Sequence, residues 1–197
     1  MWRGRDHDRR VYLTFDDGPI PEVTPWVLDV LARHGARGTF FCVGENVARY
    51  PSLFARLAAE GHAVGNHTFN HLSGWSSDVE EYVDNVSKCD RLVASPLFRP
   101  PYGRISPRKA LALRGDYDIV MWDVLSGDFD PELTGADCVR NVLENVSPGS
   151  IIVFHDSLKA EANLRYALPR VLAALARQGY RFEALTPERL PASGTTD

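Results

Sequence analysis

Three short polar clusters follow apolar, strand-like runs and contain the side chains that bind metal ions. The clusters, each placed where an apolar run ends, are Asp16-Asp17, His67 with His71, and His155-Asp156. Carboxylates and imidazoles are the ligands of a catalytic zinc-type site, in which three protein groups hold the ion and an open position stays for water. Each cluster alone is a weak signal. Their order and their shared position predict one metal site.

The first two clusters contain residues that could bind a metal ion and a residue that could transfer a proton. Asp16 and Asp17 are adjacent at a strand end, so their side chains point to different sides of the backbone. One can hold a metal while the other accepts a proton from water. Taken alone, Asp-Asp-Gly-Pro is more often a turn with an aspartate cap. His67 and His71, four residues apart, would share one face of a helix, or a loop would have to bring them together.

Two further segments carry polar groups after strand-like runs. In residues 99–103 the prolines favour extended geometry before them, which fixes Arg99 relative to Tyr102. Arg99 could hold a carboxylate in its ionised form by charge-assisted hydrogen bonds, although an ordinary ion pair is as good an interpretation. Residues 122–129 are expected at the same rim and contain Trp122, Asp123, Asp128 and Phe129.

Short apolar runs alternate along the chain with helical patterns. The runs are 11–15, 38–43, 63–66, 97–99, 119–124, 150–155 and 181–185. The helical patterns cover 24–35, with Thr24 as its N-cap, 51–60, 79–92, a segment opening at 106–107, 139–146 and 164–175. This alternation predicts an α/β fold with a parallel sheet covered by helices. About seven strands in 197 residues favour a closed or nearly closed (β/α) barrel, whose active site lies at the carboxyl ends of the strands.

Composition narrows the class of protein. A length of 197 residues predicts one domain, residues 1–197, in which residues 191–197 are expected to be disordered. The net charge of −4 gives no reason to expect a nucleic-acid partner. No run of about 18 apolar residues predicts a transmembrane segment. The first residues lack the apolar stretch of a signal peptide, so the chain as written predicts a soluble, cytoplasmic protein, or an exported or cell-envelope protein if a leader was trimmed.

The cysteines predict no disulfide framework. Their number is odd and their spacing wide, which also argues against a structural zinc knot. We therefore expect three buried, unpaired thiols, at Cys42, Cys89 and Cys138.

Five segments in order resemble the motifs of one enzyme family. They are residues 14–19 (TFDDGP), 66–71 (NHTFNH), 99–103 (RPPYG), 123–129 (DVLSGDF) and 153–156 (VFHD). This pattern resembles the polysaccharide deacetylases, carbohydrate esterase family four, also called the NodB-homology domain. The resemblance covers residues 11–186, and it implies a distorted (β/α) barrel with a metal at the strand ends.

The resemblance also implies roles for particular residues. Asp17, His67 and His71 would hold a divalent ion, with Zn²⁺ as the first choice and Co²⁺ or Ni²⁺ as alternatives. The remaining roles are Asp16 as general base, Arg99 orienting it, the Tyr102 backbone N–H binding an oxyanion, His155 as general acid, and Asp128 holding that histidine charged.

Two positions depart from the family pattern. Phe129 stands where the fourth motif usually has tryptophan, and Val153 stands where the fifth usually has leucine. Both positions resemble walls of the acetyl pocket, so the shape of the pocket and the choice of substrate stay open. Trp75, Tyr102 and Phe129 offer faces for sugar rings, although Trp75 could equally be a loop anchor packed into the edge of the core.

The implied reaction is removal of N-linked acetyl groups from N-acetylglucosamine-containing glycans of peptidoglycan or chitin type. One alternative is an O-acetyl esterase acting on acetylated polysaccharide, since the chemistry is the same. Another is a non-catalytic carbohydrate-binding relative, which is disfavoured because no metal ligand or base is missing. The sequence makes no statement about oligomeric state.

Overall fold

The computed structural model describes residues 1–4 and 9–187, so the 191–197 tail lies outside the described residues. The strands β1–β8 are Arg10–Asp16, Gly38–Cys42, Ala63–Asn66, Leu97–Phe98, Asp118–Ile119, Val124–Leu125, Ile151–His155 and Arg181–Phe182. The helices α1–α7 are Thr24–Arg33, Gly44–Arg49, Pro51–Ala59, Val79–Val93, Pro107–Leu113, Gly135–Asn145 and Glu161–Arg177. A short 3-10 turn, Pro101–Gly103, follows β4.

The strands form a curled, parallel sheet with helices around it. Seven of them lie in the order β5-β4-β3-β2-β1-β7-β6, and β8 pairs with the beginning of β1. Within the described residues, β5 and β6 form the two ends of this order and are not paired with each other. The predicted α/β architecture, a distorted barrel of parallel strands, is confirmed in this half-barrel form.

The two faces of the sheet have different partners because strand side chains alternate in direction. On β1, Leu13 and Phe15 belong to the large cluster that packs against the helices. Tyr12 belongs to a smaller cluster inside the curl of the sheet, with Phe41 and Ile151. Alternation therefore turns Asp16 toward the interior as well, at the carboxyl end of the strand.

Two sequence-based expectations about elements are wrong, and one helix was not predicted. The run 119–124 was expected to be one strand, but it is divided between β5 and β6. Thr24 was expected to cap α1, but the capping position is Val23 and the Thr24 hydroxyl binds elsewhere. The helix α2 was not predicted, because six residues are too few for a helical period to be recognised.

Among the described residues, no helix is both long enough and apolar enough to cross a membrane.

Candidate active site

Asp17, His67 and His71 converge as the sequence predicts for metal ligands. One ligand atom from each lies within 4.8 Å of the other two. Asp17 Oδ1 is 3.2 Å from His71 Nε2 and 3.7 Å from His67 Nε2. We call these three residues the ligand triad.

The protonation of His67 fits metal binding. Its Nδ1 lies 2.7 Å from the carbonyl oxygen of Arg99, and a carbonyl can only accept, so Nδ1 carries the proton. The lone pair is then on Nε2, which faces Asp17. A backbone carbonyl that orients the outer nitrogen is the usual support of a metal-binding histidine.

The charge states of the triad also suit a cation. Burial lowers the pKa of His67 to about 4, so its imidazole is neutral at pH 7. Burial alone would raise the pKa of Asp17, but the hydrogen bond with His71 and the neighbouring imidazoles hold that pKa below its usual range. Neutral imidazole and ionised carboxylate are the forms that bind metal ions.

Loops bring the triad together, and their backbone is strained. Six described residues other than glycine have positive φ, and four of them lie here: Asp17 (84°), Thr68 (64°), His71 (59°) and Tyr102 (61°). Each such residue costs on the order of 1–3 kcal/mol, so these conformations persist only where the surroundings enforce them. Convergence of the two histidines therefore comes from a loop and not from a helical face.

Amide side chains that the sequence analysis did not single out hold these loops. The N–H of Thr68 donates to Asn66 Oδ1 (2.9 Å), and Asn66 Nδ2 donates to a carbonyl of α4 (2.9 Å). The N–H of Phe69 donates to Asn85 Oδ1 (2.8 Å), and Asn46 Nδ2 donates to the Asp17 carbonyl (2.8 Å). Asn66 stands inside a recognised motif, but Asn46 and Asn85 lie on helices and gave no signal.

Asp16 forms a buried ion pair with Arg99 beside the triad. The Asp16 side chain is almost fully buried, and its Oδ1 accepts from Arg99 Nη1 at 2.7 Å. The fully buried guanidinium also donates to Thr14 Oγ1 (2.7 Å) and to the carbonyls of Val120 (3.2 Å) and Met121 (3.0 Å). Burial lowers the pKa of Arg99, which the charge of Asp16 opposes. Arg99 thus fixes the Asp16 carboxylate in place by a charge-assisted hydrogen bond.

His155 forms a second pair, with Asp128. The buried Asp128 carboxylate accepts from both the His155 Nδ1 (2.8 Å) and the His155 backbone N–H (2.8 Å). Burial alone would lower the pKa of His155, but the hydrogen bond and charge of Asp128, with the charges of Asp16 and Asp17, raise it to about 9. The imidazole is therefore protonated at neutral pH, with Nε2 available as a donor.

Asp156 supports the turn that follows Asp17, a role that the sequence analysis did not assign. It is fully buried, and its carboxyl group accepts from the Gly18 N–H (3.1 Å) and the Thr24 hydroxyl (2.5 Å). The same group leaves no room for a Cβ at Gly18. Burial raises the pKa of Asp156 to about 8.

Asp123 does not join the rim where the sequence analysis placed it. Its carboxylate accepts from the Ser150 hydroxyl (2.8 Å) and the Ile151 N–H (2.7 Å). These groups are at the beginning of β7, whereas His155 is at its end. Asp123 therefore stabilises the opposite end of the barrel.

Comparisons with known proteins place this arrangement in a family. A family model described as polysaccharide deacetylase matches residues 3–119. A peptidoglycan-N-acetylglucosamine deacetylase of Bacillus cereus is 36% identical over 188 residues, which cover 92% of this chain and 88% of that protein. The chain belongs to the polysaccharide deacetylase family. The resemblance seen in its motifs is confirmed, and this family member is a hydrolase.

Two further relatives agree with this assignment. A chitooligosaccharide deacetylase of Azorhizobium caulinodans is 32% identical over 203 residues, which cover 89% of this chain and 92% of that protein. The solved structure of a peptidoglycan N-acetylglucosamine deacetylase superposes with a TM-score of 0.88 at 34% identity, covering 96% of this chain and 91% of that one. The fold of this polysaccharide deacetylase is therefore that of its relatives.

The four predicted substrate contacts of this deacetylase lie in different settings. The Phe129 ring meets His155 edge-on, with centroids 4.9 Å apart, and Val153 is fully buried two residues before His155 on β7. The Tyr102 ring meets His71 edge-on at 4.7 Å and is 63% exposed. Trp75 is 70% exposed, so it is not an anchor packed into the edge of the core.

Proposed function

We propose that this chain removes N-linked acetyl groups from N-acetylglucosamine-containing glycans of peptidoglycan or chitin type. One arrangement carries the proposal: the ligand triad occurs together with a buried carboxylate–arginine pair, Asp16–Arg99, and a histidine–aspartate pair, His155–Asp128, and Asp16 and His155 are partners at the ends of β1 and β7. The names of the relatives, which act on peptidoglycan N-acetylglucosamine and on chitooligosaccharide, support the same class of substrate.

The ligand triad suits a divalent ion with a preference for imidazole and carboxylate. Zn²⁺ fits this donor set, and Co²⁺ or Ni²⁺ would accept it as well. When bound, such an ion supplies Lewis acidity toward a carbonyl oxygen and makes water more acidic. His67 has no proton on Nε2, and the low pKa of Asp17 means that its carboxyl group is ionised. Neither residue therefore has to lose a proton when a metal ion binds.

Asp16 is proposed as the general base. Its carboxylate belongs to the residue before Asp17, and Arg99 holds it in one orientation through a hydrogen bond of 2.7 Å. It accepts one proton from the attacking water as the water oxygen bonds to the acetyl carbon. The backbone N–H of Tyr102 is proposed to donate to the oxygen that becomes negative in this step, since one such donor is worth 10²–10³ in rate in other hydrolases.

His155 is proposed as the general acid. The carbon–nitrogen bond breaks readily only if the sugar nitrogen takes a proton as it leaves. His155 donates that proton from Nε2, and the products are acetate and a free amine. Asp128 keeps the proton on the imidazole at neutral pH, so the acid is present in its required form.

The walls of the acetyl pocket are proposed to include Phe129 and Val153, with Tyr102 and Trp75 offering faces to sugar rings. Tyr102 and Trp75 are not part of the triad, so they can contact sugar units other than the one that loses its acetyl group. We therefore expect oligomers to be better substrates than the monosaccharide. Contacts to remote sugars can lower the barrier as well as improve binding. Equal kcat/KM for monomer and pentamer would favour a small-molecule amidohydrolase instead.

The decisive experiment measures acetate release from chito-oligosaccharides, peptidoglycan fragments and acetylated xylan. The protein is stripped of metal with a chelator and then reloaded with one equivalent of Zn²⁺, Co²⁺ or Ni²⁺. We expect release from the N-acetylated glycans, no release after stripping, and recovery on reloading. Asp17→Ala serves as a control that should not recover. Faster release from acetylated xylan would establish the O-acetyl esterase, and no release from any substrate would leave a carbohydrate-binding protein.

A further inference from the structure

A buried lysine lies under the loop that follows the second histidine of the triad. Lys109, on α5, is only 3% exposed. Its ammonium donates to the Gly74 carbonyl (2.8 Å), the Ser77 carbonyl (2.6 Å) and the Ser77 hydroxyl (3.1 Å). These three acceptors match the three donors of an ammonium group.

The setting of this lysine is unusual because its partners carry no charge. Lysine is almost never fully buried unless it is paired. Within the described part of the chain, no carboxylate forms an ion pair with Lys109, and the Tyr82 ring, 4.9 Å from Nζ, offers only a cation–π contact. The ammonium group of Lys109 therefore fixes a loop through hydrogen bonds and does not neutralise a carboxylate.

The loop that Lys109 fixes carries an exposed tryptophan. Trp75 lies between the two acceptor residues and is 70% exposed. Gly74 forms a parallel bridge with Ile105, and a Cβ at Gly74 would collide with the Arg104 carbonyl. The Arg104 guanidinium carbon is 5.5 Å from the centroid of the Trp75 ring. We call these two side chains, which form a cation–π contact, the Trp75–Arg104 platform.

Short segments of the chain connect the platform to the ligand triad. Trp75 is four residues after His71, a span of at most about 14 Å of extended chain. Arg104 is two residues after Tyr102, whose ring contacts His71 at 4.7 Å. Both halves of the platform are thus tethered to the triad by short segments.

We propose that Lys109 is a positioning residue for the glycan. By fixing the loop between Gly74 and Ser77, it holds the Trp75–Arg104 platform where it can stack on a sugar unit next to the one that loses its acetyl group. The flat indole packs on the apolar face of a sugar ring, and the guanidinium donates to hydroxyl oxygens at the edge of that ring. This inference rests on the proposed function, and it identifies a residue that sets the preference of the enzyme for longer glycans.

The test compares Lys109→Met with the wild type on N-acetylglucosamine monomer and tetramer. Methionine keeps an apolar stem and removes all three hydrogen bonds. We expect kcat/KM for the tetramer to fall about three- to tenfold, the size of a lost aromatic contact, and kcat/KM for the monomer to stay within about twofold. Arg108→Met is the matched control, because Arg108 is the exposed neighbour on the same helix.

A double-mutant cycle separates positioning from general damage. If Lys109 acts through the platform, Trp75→Ala and Lys109→Met together should lose no more on the tetramer than the larger single loss. Tetramer binding to the metal-free protein, measured by isothermal titration calorimetry, should weaken in the same variants. If Lys109→Met does not fold, Gly74→Ala displaces the same loop from its other side and should give the same selective loss.

Two results would overturn the inference and show that Lys109 does not position the substrate. One is an unchanged ratio of kcat/KM for tetramer to monomer, whether both values fall equally or neither falls, and the other is fully additive losses in the cycle. The failure of the proposed function is a different result, namely no acetate from the wild type on any glycan. In that case the binding titration still decides whether Lys109 and Trp75 act together.

Discussion

Replacing Asp128 by asparagine tests how the proton on His155 is held. The carboxylate accepts two hydrogen bonds from His155, and it is the largest influence that raises the pKa of this histidine, to about 9, against the lowering effect of burial. In Asp128→Asn the charge is gone while the shape is kept. We expect the pKa of His155 to fall to its ordinary value of 6.5 or below.

The expected loss depends on pH in a defined way. A general acid works only while protonated, so activity falls as pH rises through its pKa. With a pKa of about 9, roughly nine-tenths of His155 is protonated at pH 8; with 6.5, only about 3% is. The variant should therefore lose about 30-fold in kcat/KM at pH 8 and approach the wild type near pH 5.5. A bound divalent cation lowers the pKa of His155 in both the wild type and the variant. The quantity to measure is therefore the difference in pH between the alkaline limbs of their two activity profiles.

The assay is acetate release from an N-acetylglucosamine oligomer between pH 5 and 10, with folding of each variant checked by circular dichroism. Asp130→Asn is the control, since its carboxylate lies two residues away and accepts from the Glu132 N–H. A wild-type to variant ratio that is the same at pH 6 and pH 8 would refute the reasoning. It would mean that Asp128 supports the local structure and does not set the proton on His155.

Four further outcomes are expected. Asp16→Asn should keep one equivalent of metal by elemental analysis yet lose on the order of 10²-fold or more in kcat, and loss of the metal would mean that the general base is misassigned. His155→Ala should slow amide substrates more than activated acetyl esters, because only the amine needs a proton; equal losses would count against it as the acid. His71→Ala should abolish the rise in melting temperature that Zn²⁺ produces in the wild type, and a preserved rise would place the ion elsewhere. Mass spectrometry of the unreduced protein should find no disulfide among the cysteines, all of which are free and buried: Cys42, Cys89 and Cys138.

Much of the fold could be predicted because it depends on local patterns. Buried parallel strands appear as short apolar runs, and helices such as α4 and α7 are long enough for their period to be recognised. Polar residues that interrupt this pattern at strand ends, as Asp16 and His155 do, stand out for the same reason. Patterns of this kind are sufficient to locate the rim of the barrel.

What could not be predicted depends on contacts between distant segments. The division of the run 119–124 coincides with the Val120 and Met121 carbonyls that accept from Arg99, which no local pattern encodes. The Thr24 hydroxyl does not cap α1, because it accepts from the Ile20 N–H and donates to the carboxyl group of Asp156, which follows β7 far along the chain. Asp123 and Asp128 share one motif, yet only the folded chain shows that they serve opposite ends of β7.

The pairs that build the site join residues far apart along the chain. Arg99 and Asp16 are 83 positions apart, and Asp156 and Gly18 are 138 positions apart. During synthesis β1 emerges long before its neighbour β7, and such non-local pairings form slowly because a long loop must close first. An intermediate without β7 lacks both His155 and the carboxyl group that holds the turn after Asp17. Deacetylase activity therefore requires that β7 has paired with β1. Partly folded forms of the chain, in which this pairing is missing, should be inactive.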